Sequence, residues 1–487
     1  MNCVDYLLPK KVRKEDLFVL GKKEQLSFYD LKWQVAALAN HLRRVVGCGN
    51  NIILLSPNNN FFIVCYLAIM KSGNVVIPLN PATEHKSVAF IKKQAKVRIA
   101  FVTAMFQNRM KVELGEVWNE EDLLRIFDSE IKVKYKEEED FDMHSLAQII
   151  YTSGSTAIPK GVMISHKNII ANTSSIISYL QLTSDDIMEC VLPFFYCYGL
   201  SLLHTHLKVK GKIVLNNRFL FLGTVLEDLE KYRCTGFAGV PSHFQILLRK
   251  SDTFTSQTFP HLRYVTQAGG KLHDVFIEEF QEVQPGVEFI VMYGQTEATA
   301  RLSYLPSERL KDKLGSIGKG MPGVELKVVN ECGDPIQPGE VGEIIARGDN
   351  VMLGYYLDPQ ETASTIKNGW LYTGDLGKID EDGFIYHAAR KKEIIKAGGK
   401  RVSPREIEAV LVEMPGVVDC TVSAEADDIL GEAIKATLVV NNSDVVLNET
   451  MVKAFCSTRL AVYKIPHMIE FTSRMNVNAA GKKVKKR

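Results

Sequence analysis

The chain has 487 residues, with 59 Lys and Arg against 57 Asp and Glu. Such a length exceeds one small domain, and the near balance of charge argues against nucleic acid as the main partner. Nine scattered cysteines without a C-x-x-C pair suit a reducing cytosol, each as a small buried apolar residue, rather than a disulfide or zinc framework.

The first residues lack an apolar run, so no signal peptide is expected. The most hydrophobic stretch, 52–70, is broken by Pro57 and by Asn58, Asn59 and Asn60, which rules it out as a membrane span. Residues 51–55, 61–71 and 75–79 read as strand, helix and strand, and 99–102 continues the pattern. Their apolar strands suit a sheet covered on both faces. The charged segment 132–142 reads as a solvated connection.

That connection leads to residues 149–165, Ile-Ile-Tyr-Thr-Ser-Gly-Ser-Thr-Ala-Ile-Pro-Lys-Gly-Val-Met-Ile-Ser. Apolar runs on either side predict two strands joined by a polar loop. Thr152, Ser153, Ser155 and Thr156 crowd around Gly154, with Lys160 just beyond, a composition suited to cradling phosphate oxygens. The pattern G-x-x-x-x-G-K-[ST] is absent, because Lys160 precedes its glycine and Pro159 stands where a helix would begin. A Ser/Thr-rich surface turn is the competing reading. The string resembles the phosphate-loop signature of the adenylate-forming superfamily of acyl-CoA synthetases, adenylation domains and luciferases, with Ala157 where that family usually has glycine.

Residues 168–180 have an apolar helical face. The aromatic stretch 192–200 reads as core or, by the resemblance, as a wall of the acyl pocket that includes Tyr196 and Gly199. The family commonly has His at position 196; a phenol there carries no positive charge near neutral pH. Strands at 213–215, 235–239 and 263–266 alternate with helical stretches, the pattern of a wound topology. His243, after one of them, reads as structural. Gly269 and Gly270 let backbone approach a flat ligand closely, and the resemblance puts them between adenine and acyl group. Lys271, where the family has a small residue, reads either as a partner for a second polar group on the substrate or as a solvated cation.

The strand Glu288–Tyr293 runs into Tyr293-Gly294-Gln295-Thr296-Glu297. Functional loops of wound α/β folds lie beyond the carboxyl ends of strands. The match to the family's Y-G-x-T-E signature implies Tyr293 on adenine, Thr296 on the α-phosphate and Glu297 on Mg²⁺. A small β subdomain follows, with strands at 325–329 and 342–347. Trp370 to Asp375 matches the family's W-x-x-T-G-D element and implies that Asp375 holds the ribose. Read alone, Thr373-Gly374-Asp375 is a turn.

Residues 389–402 read as a cationic turn, a short strand and a glycine hairpin, and resemble the superfamily's hinge, with Ala389 in place of a common glycine. The match implies Arg390 on ribose, Lys392 as pivot, and Lys396 with Gly398 and Gly399 in the thioester half-reaction. Ser403, Pro404 and Glu406 form a helix-start signature. Gly481-Lys482 falls where the family places its adenylation lysine, on a loop that lacks the usual Pro and Thr.

The resemblance spans nearly the whole chain, with four motifs in order. It implies an α/β fold: a large N-terminal domain (1–390) of wound α/β subdomains plus a small β subdomain, then a small mobile α+β lid (391–487). The implied activity is ATP-dependent, AMP-forming ligation of a small carboxylic acid to CoA in the cytoplasm, with Mg²⁺. The phosphopantetheine of an acyl carrier protein is the alternative acceptor, and a low-turnover nucleotide-binding protein is the rival from another class.

Overall fold

The computed structural model describes the chain except residues 23, 108–111, 131, 153–158, 398–399, 428–430, 441–446 and 473–487, and except the side chains of Lys392 and Arg401. Ser153, Gly154, Ser155, Thr156, Ala157, Gly398, Gly399 and Lys482 therefore lie outside the described residues, as does the Lys392 side chain.

Two wound sheets form the large domain. The first has the order Gly354–Tyr355, Lys160–Ser165, Leu146–Thr152, Val75–Leu79, Asn51–Leu55, Ile99–Val102 and Glu116–Trp118. Its members from Leu146–Thr152 onward pair in parallel, while Leu146–Thr152 and Lys160–Ser165 form the antiparallel pair that flanks the Ser/Thr loop. The second sheet has six parallel strands: Glu288–Tyr293, Tyr264–Gln267, Gly236–Gly239, Ile187–Cys190, Lys212–Leu215 and Leu17–Leu20. Parallel neighbours need crossovers, and helices such as Leu222–Lys231, Pro241–Lys250 and Asp274–Val283 supply them.

The hydrophobic stretch 52–70 resolves into the strand Asn51–Leu55 and the helix Asn60–Lys71, buried from Phe61 to Lys71. Asn59 caps that helix by accepting from the Phe62 N–H, so the asparagines that break the apolar run also start the helix. No helix among the described residues is long and apolar enough to cross a membrane.

The third sheet is antiparallel, with Val324–Val329, Gly342–Gly348, Trp370–Ile379 and Ile366–Lys367 in order and Ile385–Arg390 paired to Trp370–Ile379. After a short 3₁₀ turn, Lys391–Glu393, the small C-terminal domain begins. Its sheet comprises Lys400–Val402, Ile395–Ala397, Gly431–Val440, Val417–Asp427 and Met468–Thr472. Ile407, Leu411, Cys420, Ile434, Leu438 and Val452 give it a core of its own.

The segment 132–142 is largely exposed, as a solvated connection should be, but it is pinned at two points: Tyr135 donates to Asp5 at 2.5 Å, the Glu138 N–H donates to Asp5, and buried Lys71 pairs with Asp5 at 2.7 Å. A lysine buried by an apolar helix needs a carboxylate, and the acidic run supplies a second one in Glu138. Three other expectations need correction. Thr373-Gly374-Asp375 is no turn but the middle of the strand Trp370–Ile379, where Gly374 takes φ +73°. Ser403 does not cap the helix Pro404–Val412 with its side chain; its hydroxyl donates instead to the Ala388 carbonyl at 2.9 Å, tying the two domains. Cys48 and Cys332 are exposed rather than buried, although none of the nine cysteines is in a disulfide.

Candidate active site

Tyr264–Gln267 and Glu288–Tyr293 are parallel neighbours, with Gln267 opposite Val291. Their following turns, Gly269-Gly270 and Gly294, therefore lie side by side beyond the carboxyl ends of the sheet. Gly269 has φ +87°, which favours glycine, and the Gln267 side chain steadies the turn by donating to the Gly270 carbonyl at 2.8 Å. Gly294 is required by packing, because a Cβ there would stand 2.1 Å from the Ala300 oxygen.

The antiparallel sheet brings a third component to this edge. The Tyr293 hydroxyl donates to Oδ2 of Asp375 at 2.7 Å. Asp375 is opposite Arg390 in the ladder, and Arg390 Nε donates to Oδ1 at 3.1 Å. His387 Nε2 lies 3.0 Å from the same oxygen. Burial alone would raise the Asp375 carboxyl, but the His387 hydrogen bond and the Arg390 charge outweigh it and bring its pKa down to about 2. Burial pushes the His387 imidazole below its ordinary value, against the pull of Asp375. Burial, reinforced by Asp375, holds the Tyr293 phenol protonated.

These groups border a cleft whose lining includes Gly269, Gly270, Lys271, Tyr293, Gly294, Asp375, His387, Arg390 and, from the C-terminal domain, Arg405. Lys271 and Arg405 line the cleft without an ion pair among the described residues, and Asp274 is a carboxylate on the same lining.

Thr296 and Glu297 open the 3₁₀ turn that follows Gly294. Glu297 Oε1 accepts from the Tyr355 hydroxyl at 2.9 Å. Lys160 Nζ sits 5.4 Å from the Tyr355 ring centroid and pairs with Glu361. The strand leaving the Ser/Thr loop is thereby joined to the Tyr293–Glu297 segment. Thr152, at the loop's other edge, places its hydroxyl 3.5 Å from the Lys160 carbonyl. Thr296 Oγ1 is 3.5 Å from Cys197 Sγ, so the helix Cys197–Val209 abuts the same segment. Tyr196 precedes that helix; burial raises its phenol, opposed by a hydrogen bond with Asn80.

No group of three or more His, Cys, Asp or Glu among the described residues could hold a metal ion. Glu297 is a half-buried carboxylate with no ion pair among them. That single ligand fits a hard cation that completes its shell with phosphate oxygens and water.

Gly269, Gly270, Lys271, Tyr293, Gly294, Asp375 and Arg390 thus converge on one cleft. Tyr196 and Gly199 do not border it, and a Cβ on Gly199 would meet the Pro193 oxygen at 2.1 Å. Lys396 is exposed on the C-terminal hairpin. Sequence reasoning missed His387, Tyr355, Glu361 and Arg405. The His243 side chain is buried beneath Phe219, 4.1 Å between ring centroids, and receives the Val240 N–H. Ala389 pairs opposite Leu376, next to a register shift in the ladder, and its φ is not positive, so the position has no need for glycine.

Comparison with known proteins accords with this geometry. Residues 10–356 match the family model described as AMP-binding enzyme, and residues 406–482 match the AMP-binding enzyme C-terminal domain. The chain is 30% identical to a feruloyl-CoA synthase of Amycolatopsis sp over 471 residues, covering 94% of this chain and 92% of that protein. It is 31% identical to a 2-succinylbenzoate–CoA ligase of Bacillus pumilus over 479 residues, covering 98% and 94%. ATP-bound MatB from Rhodopseudomonas palustris superposes with a TM-score of 0.89 at 27% identity, over 99% of this chain and 97% of that one. The o-succinylbenzoate coenzyme A synthetase MenE from Bacillus subtilis, in complex with ATP and magnesium ion, gives 0.84 at 27%, over 99% and 98%. With both halves of the chain matched and the cleft residues in place, this protein belongs to the AMP-binding enzyme family and is an AMP-forming acid–thiol ligase.

Proposed function

We propose that the chain activates a small polar or aromatic carboxylic acid as its acyl-adenylate and passes the acyl group to CoA. The observation that carries this reading is the convergence of Tyr293, Asp375 and Arg390 on one cleft beside the Gly269-Gly270 turn, with Glu297 directly beyond.

In the first half-reaction a carboxylate oxygen attacks the α-phosphorus of ATP and pyrophosphate leaves. Both reactants are anions, so the site must align them and neutralise charge. Asp375 and Arg390 hold the ribose, Tyr293 packs on adenine, and the Thr296 hydroxyl meets the α-phosphate. Thr152, Ser153, Gly154, Ser155, Thr156 and Lys160 surround the departing phosphates. Glu297 holds Mg²⁺, which when bound offsets phosphate charge. Lys482 donates to the transition state. In the second half-reaction the CoA thiol attacks the acyl carbonyl and AMP leaves. Residues 391–487 turn about Lys392 between the two steps, withdrawing Lys482 and presenting Lys396 with Gly398 and Gly399. The separate core of this domain and the short turn Lys391–Glu393 support that division.

The acid's character rests on Lys271, a cation in the cleft without an ion pair among the described residues, and on the family resemblance of the stretch holding Tyr196 and Gly199, which lies outside the lining of that cleft, to an acyl-pocket wall. They favour an acid with a second polar group. The absence of a disulfide among the nine cysteines supports a cytoplasmic setting.

The test is ATP–pyrophosphate exchange over a panel of acids. Acid-dependent exchange, converted to thioester on adding CoA, is expected. Thioester formed only on a carrier protein would move the acceptor, and no exchange with any acid would defeat the proposal.

A further inference from the structure

Resting on the ribose reading of Asp375, we propose that His387 is a positioning residue that fixes the Asp375 carboxylate for the ribose hydroxyls. Asp375 is buried, with a side chain 2% exposed, and already receives three donors: Tyr293 on Oδ2, and Arg390 and His387 on Oδ1. A carboxylate offers about four acceptor sites, so the way these donors are arranged decides which site is left for a ligand.

The three donors differ in freedom. Tyr293 ends a sheet strand and is buried. His387 lies within the strand Ile385–Arg390, opposite Gly377, with a side chain 7% exposed. Arg390 is the last residue of that strand, just before the turn into the C-terminal domain, and its side chain is 53% exposed. Arg390 can leave Oδ1 for a nucleotide; His387 cannot. Once Arg390 has turned away, each oxygen keeps one donor, His387 on Oδ1 and Tyr293 on Oδ2, and these two fix the carboxylate so that one site on each oxygen stays open for a ribose hydroxyl.

The state of the ring supports the role. Burial and the charges of Arg405 and Arg390 keep the imidazole neutral against the pull of Asp375. Nε2 therefore carries the single proton and donates it to the carboxylate. Nδ1 is buried with no partner among the described residues. A side chain retained for packing alone would avoid that unpaired nitrogen. The charged and titratable groups around the ring are Asp375 and Arg390 from the antiparallel sheet, Tyr293 at 6.1 Å between ring centroids, and Arg405 from the helix Pro404–Val412.

The test compares calorimetric binding of AMP, 2′-deoxy-AMP and 3′-deoxy-AMP to the full chain and to His387→Phe, His387→Gln and Asp375→Asn, without acid or CoA. His387→Phe should lose about 10-fold in AMP affinity and far less for the deoxy analogues, collapsing the ribose preference. In exchange assays its KM for ATP should rise while its KM for the acid stays unchanged. His387→Gln, which keeps an N–H near the Nε2 position, should restore the preference. A His387→Phe protein that retains the preference, or loses AMP and deoxy-AMP equally, overturns the role, as does failure of Gln to restore it. Asp375→Asn must also lose the preference; if it does not, the ribose reading fails, and the inference with it.

Discussion

The hydroxyl of Tyr293 meets Oδ2 of Asp375 at 2.7 Å, joining the edge of a parallel sheet to an antiparallel one across 82 residues of chain. The two residues belong to different motifs, and the contact makes them one site. Replacing Tyr293 with Phe keeps the ring and removes the donor, leaving a buried anion short of one hydrogen bond at a cost of about 1–3 kcal/mol. The expected result is a lower thermal midpoint and weaker AMP binding, with exchange still acid-dependent. An unchanged midpoint and unchanged AMP affinity would separate the two motifs.

Asp375 also gives the fold an acid-sensitive component. Its folded pKa of about 2 lies below the ordinary 3.8. The stabilisation is therefore fully present above the unfolded value and lost as pH falls through the folded one. A displacement of this size corresponds to about 2 kcal/mol. The stability gap between wild type and Asp375→Asn, measured by urea unfolding, should be widest near neutrality and close as pH falls from about 5 to about 2. A gap that stayed constant over that range would refute the assignment.

Tyr355 steadies the carboxylate read as the cation ligand. It donates to Glu297 Oε1 at 2.9 Å, and burial, aided by Glu297, keeps its phenol protonated. Partners behind a ligand typically change metal affinity by 10–100-fold. Tyr355→Phe should therefore raise the Mg²⁺ concentration for half-maximal exchange by about 10-fold and leave the rate at saturating Mg²⁺ nearly intact. A magnesium titration that superposes on wild type would show that Glu297 needs no such support.

The strand Glu288–Tyr293 could be read to the residue, because an apolar run closed by glycine leaves little choice of ends. The same holds for Asn51–Leu55 and Val75–Leu79, and the order of the motifs located one side of the cleft. Local pattern failed where partners are distant. Thr373-Gly374-Asp375 has turn composition, yet sheet pairing before and after it in Trp370–Ile379 keeps it within the strand as an irregularity where Gly374 takes a positive φ. Ser403 has the right spacing for a cap, but the Ala388 carbonyl takes its hydroxyl. His387 looks like any polar residue in a strand until the register sets it against Asp375. Gly294 and Gly199 entered only through their motifs, and it is the Ala300 and Pro193 carbonyls, distant or unremarkable in sequence, that require them to be glycine.

The two lysines assigned to separate half-reactions offer the sharpest division. Lys396 is exposed on the strand Ile395–Ala397, whose hairpin partner is Lys400–Val402, and its N–H donates to Glu432. Among the described residues, none of that hairpin borders the nucleotide cleft, although Arg405 of the same domain does. In this arrangement Lys396 is in no position to assist attack on ATP. Lys396→Ala should leave pyrophosphate exchange within about twofold of wild type and slow thioester formation from pre-formed acyl-adenylate by about 10²-fold or more. Lys482→Ala should do the reverse, losing about 10²–10³ in exchange, the range for removing one well-placed transition-state donor. Pre-formed acyl-adenylate should still react with CoA in that variant. Equal damage to both steps by either substitution would mean that the C-terminal domain does not alternate between two tasks.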